Sequence, residues 1–174
     1  MGADIYLSSK FDKNFDEVQA EIDEVKRLFE STSKQTLLDV ADGEDEDKLM
    51  EALRPLFDKQ YSIGYFRDSY NSSSLLGQLG LSWWQDISPR LEDCYLPVED
   101  CKWLLDEINN NRLGENPREE PVMSKILSLF GSNTSESAVE LDAERLEYFV
   151  KKKIAFSNLL KDAIELNEPL YCSI

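Results

Sequence analysis

Arg67, Asp68, Tyr70 and Asn71 fall within five consecutive positions, directly behind the aromatic pair Tyr65-Phe66. A guanidinium, a carboxylate, a phenol and an amide at that density suit a small polar ligand or a nucleotide-like ring between aromatic walls. Asp4, Tyr6, Trp84, Asp86 and Glu168 add the same chemistry if the two termini and the centre of the chain converge. Their carboxylates alternatively suit Mg²⁺, although no metal or cofactor is assigned. The competing expectation is a satisfied buried network. In it Arg67 pairs with Asp4 or Asp68, and Tyr70 and Asn71 cap backbone ends.

The composition narrows the chemistry further. There is no histidine among the 174 residues. Ser-His-Asp and Cys-His nucleophiles, His-ligated zinc and an imidazole proton shuttle are therefore excluded. The three cysteines, Cys94, Cys101 and Cys172, cannot all pair within one chain and form no Cys-x-x-Cys, so reduced thiols in a cytoplasm are expected. No phosphate-binding glycine loop, Glu-x-x-His or Gly-x-Ser-x-Gly is present, and catalysis has no specific support. No apolar run approaches the ~20 residues of a membrane span, so no membrane contact is expected. The N-terminus lacks the basic and apolar regions of a secretory signal, and Tyr6 replaces the Ser or Thr of a myristoylation signal.

The elements that must position the central residues are mostly helical. Residues 3–9 alternate as a short strand. Phe15, Val18, Ile22, Val25 and Phe29 recur at steps of three and four, which predicts an amphipathic helix over 13–30 behind an Asp12 cap. A second helix is expected over 45–60 on Leu49, Leu53 and Leu56 or Phe57, kinked or ended early by Pro55. The carboxylates at 39–47 do not fit a calcium loop, because Leu38 and Val40 occupy the first and third ligand positions relative to Gly43. They read as a solvated acidic turn. Asp68 to Ser74 reads as a polar turn, one of Ser72 to Ser74 capping a short helix through Leu75, Leu76 and Leu79. At least one of Trp83 and Trp84 is expected to be buried. Further helices are expected from Leu96-Pro97 to about Asn109, over 121–130, and over 138–166. Lys151 to Lys153 reads as a solvated basic face. Residues 170–174 form a terminal strand able to pair with the first. The expected fold is mainly α with an α+β element: about six helices packed around a central aromatic and polar segment, with a small sheet from the terminal strands. Residues 1–174 are expected to form a single globular domain.

The chain carries 35 acidic and 19 basic residues, net −16. The first sixty residues hold net −8, the next sixty −6 and the remainder −2. Such a surface repels a nucleic-acid backbone, so no direct nucleic-acid binding is expected, and it attracts a basic protein surface. Glu21, Glu24, Asp42, Glu44, Asp45, Glu46 and Asp47 are the expected partner-binding carboxylates, although the same charge equally serves solubility.

Gly2-Ala-Asp-Ile-Tyr6, Gly64-Tyr-Phe-Arg-Asp-Ser-Tyr-Asn71, Leu79-Gly-Leu-Ser-Trp-Trp84, Leu166-Asn-Glu-Pro169 and Cys172-Ser173 together resemble a family of small, uncharacterised bacterial and phage proteins. The resemblance spans both termini and the centre, and implies that these motifs belong together in space. It implies no activity or catalytic residue. The expected function is a non-enzymatic acidic interaction protein. One form is a phage-encoded inhibitor or DNA mimic on a basic nucleic-acid-handling protein, such as a CRISPR effector. The alternative is a small-ligand-binding protein or small enzyme centred on Arg67, Asp68 and Tyr70.

Overall fold

A computed structural model describes residues 2–33, 44–70, 74–114 and 143–174. Among them the chain is mainly helical, with a small four-stranded sheet. In chain order the elements are β1 (Gly2–Tyr6), α1 (Ser8–Ser33), α2 (Glu44–Gln60), β2 (Tyr65–Ser69), α3 (Leu75–Gln78), a π turn (Trp83–Ile87), a 3₁₀ turn (Ser88–Arg90), β3 (Tyr95–Leu96), α4 (Val98–Asn110), α5 (Ala143–Leu166) and β4 (Leu170–Ser173). The chain divides into two compact units, one of Met1–Leu7 with Phe66–Ile174 and the other of Ser8–Tyr65.

In the larger unit the terminal strands meet as the alternation predicts. β1 pairs antiparallel with β4, Asp4 opposite Ser173 and Tyr6 opposite Tyr171. β4 pairs antiparallel with β3, and the sheet order is β2-β1-β4-β3. β2 replaces part of the polar turn expected from Asp68 onward. A buried Asp in a strand defeats pattern reading, because alternation then shows no continuous apolar face. The period of two sends Ala3, Ile5, Phe66, Asp68, Leu96, Leu170 and Cys172 inward, and Asp4, Tyr6, Arg67, Tyr95 and Tyr171 to the other side. The inward set joins Leu75, Leu76, Trp83, Leu104, Ile108, Phe149 and Phe156 in one core. Phe66 stacks on Phe156 with centroids 4.3 Å apart.

Two turns among the described residues of this unit put non-glycine residues in left-handed backbone. Asp93 and Cys94 have φ of 49° and 70°, and Glu92 and Tyr95 exchange both backbone hydrogen bonds at 2.8 Å. This is a two-residue hairpin of the primed kind, built without its usual Asn-Gly. Asn167, at φ 51°, closes α5, where the Glu168 N–H reaches the Ala163 carbonyl at 2.9 Å.

The smaller unit is a helical hairpin. Val18 and Ile22 of α1 pack with Leu49 and Leu53 of α2, flanked by Val25, Phe29 and Leu56. α1 starts at Ser8, ahead of the expected Asp12 cap, and α2 runs through Pro55 to Gln60. Pro55 lies on the exposed face, where water can satisfy the carbonyl that its missing N–H leaves free. At the far end of α2 the buried Asn14 amide donates to the carbonyls of Lys59 and Gln60, at 3.0 and 2.9 Å. The helix expected over 121–130 lies outside the described residues, as do the first five residues of the helix expected over 138–166.

Candidate functional site

β2 presents Arg67 and Asp68 on opposite sides of the sheet, so the expected single pocket resolves into two layers. Asp68 is 2 % exposed. Its Oδ1 accepts from the Leu75 N–H at 3.0 Å and from Lys152 Nζ at 2.8 Å. Its Oδ2 accepts from the Leu76 N–H at 3.2 Å and from Trp83 Nε1 at 3.1 Å. The carboxylate thus sits on the first amides of α3, where the peptide dipoles favour negative charge. Ser74 completes the cap by accepting from the Gly77 N–H at 2.9 Å. Among the described residues no buried side-chain polar atom lacks a partner. Around Asp68 this is the satisfied-network arrangement, and with both oxygens so engaged the carboxylate is a poor general base.

The cationic partner of Asp68 is Lys152. The expected solvated face at 151–153 is corrected here, since the Lys152 side chain is only 18 % exposed. Its ammonium lies 5.4 Å from the Phe66 ring centroid and 5.5 Å from that of Tyr148. Likewise the indole that engages Asp68 belongs to Trp83, while Trp84 is 55 % exposed. Ser74, Trp83 and Lys152 were absent from the expected site. Lys152 falls three residues after Phe149 and four before Phe156, on the buried face of α5, and that spacing was a readable signal.

The outer layer gathers Asp4, Arg67, Tyr70 and Trp84. Arg67 Nε stands 3.6 Å from Asp4 Oδ1, with the Arg67 side chain 65 % exposed. Partial burial and the nearby Asp4 charge push the Tyr70 phenol above its ordinary range, and Arg67 opposes them. Tyr70 and Trp84 place their rings 5.2 Å apart. Tyr6 turns instead toward Tyr171 at 5.9 Å, and Tyr171 meets Tyr95 edge-on at 5.4 Å. Asp86 accepts from the Ser82 N–H at 2.8 Å and so closes the π turn. Glu168 sits in the turn after α5. Asn71 lies outside the described residues. An open surface depression among the described residues lies elsewhere: about 480 Å³ lined by Glu92, Asp93, Tyr95, Pro97, Val98 and Pro169.

Burial pushes the Cys101 thiol up to about 11 and the Cys172 thiol up to about 12, so both stay protonated at neutral pH and neither is a nucleophile. Among the described residues, no group of three or more His, Cys, Asp or Glu side chains is placed to hold a metal ion. No helix of the described residues is long and apolar enough to cross a membrane.

The expected partner-binding carboxylates belong to the smaller unit, which carries 15 acidic and 8 basic residues. Two of them are neutralised internally. Glu21 pairs with Lys59 at 2.6 Å, and Glu24 holds Arg27 through two bonds of 2.6 and 2.8 Å. The Arg27 guanidinium keeps the Glu24 carboxyl below its ordinary range. Asp47 is exposed, as are Asp12, Asp16, Glu17, Glu30, Glu51 and Asp58, and none of these seven has an ion-pair partner among the described residues. Asp42 lies outside the described residues, and Glu44, Asp45 and Glu46 are described only as backbone of α2.

No family model, no curated protein and no solved structure matches the chain.

Proposed function

We propose that this chain is a non-enzymatic interaction protein, and that its acidic helical hairpin binds a basic surface on a nucleic-acid-handling protein. The observation that carries this reading is the set of exposed carboxylates on α1 and α2 that have no cationic partner among the described residues. A fold could spend such charge on internal pairs, as Glu21 and Glu24 do. Asp12, Asp16, Glu17, Asp47, Glu51 and Asp58 instead face solvent, where they steer a cationic partner and compete with phosphates for it. In that role the hairpin acts as a DNA mimic, and the resemblance to small phage proteins makes an inhibitor of a host nuclease or CRISPR effector its natural form. The saturated bonding of Asp68 offers the ligand-site alternative no comparable support.

The test is competition. The protein is titrated against duplex DNA for a panel of purified basic DNA-binding proteins, over a range of salt concentrations. The expected outcome is displacement of DNA that weakens steeply with salt. Replacing Asp16, Glu17, Asp47 and Glu51 by their amides should weaken it by an order of magnitude or more. Displacement that ignores both salt and these substitutions would sink the reading.

A further inference from the structure

The uncovered face of α2 orders its apolar and charged residues into parallel stripes. At 100° per residue, Leu49, Leu53, Leu56 and Gln60 form the seam toward α1, and three of these four are buried. Next around the helix come Met50 and Phe57, two turns apart and nearly in line, followed by Tyr61 just past the helix end. These three are 46 %, 36 % and 46 % exposed. Beyond them on the open side come Asp47, Asp58 and Glu51, exposed and without ion-pair partners among the described residues. One cation, Arg54, stands between the two stripes, against three carboxylates. The apolar stripe ends on an aromatic cluster that continues to α1. Tyr61 lies 5.9 Å from Phe11, 6.4 Å from Phe15 and 5.1 Å from Tyr65.

Large apolar side chains in line beside a row of unpaired carboxylates match the surface on which an amphipathic helix lies. We propose that α2 is a docking site for a basic amphipathic helix of the partner protein. The apolar face of that helix covers Met50, Phe57 and Tyr61, and its Lys or Arg residues meet Asp47, Glu51 and Asp58. A second copy of this chain is the wrong occupant, because it would bring together two units of net charge −7. The proposal rests on the acidic-interaction reading and specifies its contact. It adds an apolar anchor, which a purely electrostatic mimic does not need.

Two synthetic peptides of identical Leu and Lys composition separate these ideas. One places Leu at helical i, i+3, i+4 spacing; the other scrambles the order so that no apolar face forms. Binding of each to the full chain is measured by calorimetry. The amphipathic peptide should bind about tenfold more tightly or better, an advantage of ~1.4 kcal/mol. M50S and F57S, tested singly, should remove that preference while leaving the scrambled peptide's affinity unchanged. Met50 lies outside the buried core, so M50S keeps the test sound if F57S proves poorly folded. Combined D47N, E51Q and D58N should weaken both peptides and flatten their salt dependence. Equal affinity for the two peptides, or a preference that survives both serine variants, overturns the docking stripe and leaves the charge reading standing. No binding of either peptide at low salt overturns both.

Discussion

Asp68 concentrates more interactions than any other side chain described. It is a buried carboxylate that projects from a strand, caps a helix, bonds an indole and neutralises a lysine. Its removal leaves three buried N–H groups and the part-buried Lys152 ammonium without their acceptor. Asp68→Ala is therefore expected to destabilise the fold by about 3–5 kcal/mol. Lys152→Met should cost clearly less. The carboxylate keeps its three N–H donors and the α3 dipole, and the methionine stem can still pack on Phe66 and Tyr148. Urea denaturation of the two variants checks the order, and an equal loss would contradict the role given to the amides of α3. Gly2 is tied to the same strand: a Cβ there would stand 2.5 Å from the Asp68 carbonyl oxygen, too close for any side chain without moving backbone.

At the scale of elements, the hairpin before β3 carries a removable cost. Two non-glycine residues in succession occupy left-handed backbone, and Cys94 has neither the flexibility of glycine nor the local hydrogen bonding of asparagine. The turn is nevertheless fixed, because Glu92 and Tyr95 close it from both sides and the Cys94 carbonyl accepts from the Cys172 N–H at 2.8 Å. Asp93→Asn with Cys94→Gly should stabilise the protein by about 1 kcal/mol, by supplying the residues that such a turn prefers. A shift of the thermal midpoint upward checks it; a downward shift would mean that the side chains at 93 and 94 make stabilising contacts of their own. In the other unit, Asn14 plays the complementary part, closing the end of α2 from α1.

Over the whole molecule, the two units differ in how much apolar surface they enclose. The larger one has a continuous core running from Ala3 to Cys172. The hairpin has Val18, Ile22, Leu49 and Leu53, with three partly buried neighbours. It also carries 15 acidic against 8 basic residues, and like charges oppose compaction. Local opening of α1 and α2 should therefore need less free energy than opening of α4 and α5. Native-state amide exchange is expected to show lower protection across 8–33 and 44–60 than across 98–108 and 149–163, with the gap narrowing as salt screens the carboxylates. Equal protection in both units would contradict it.

Much of this was legible in the residues alone. Short-range periodicity set the helical class, the apolar seams of α1 and α2, the helix after Leu96-Pro97 and the existence of the two terminal strands. These patterns need only neighbours three, four or two positions away, and burial rewards them locally. The absence of histidine and the sign of the charge likewise needed no coordinates to narrow the chemistry. Tertiary structure decided the rest. It set β2 beside β1, which turned Arg67 outward and Asp68 inward. It chose Trp83 over Trp84, and it brought Lys152 across 84 positions of sequence to the buried carboxylate. It also decided which acids on the hairpin were already paired. A charged residue reads as surface until its partner is known. Long-range pairing carries no periodic trace in the chain, because it depends on which faces meet when the core closes.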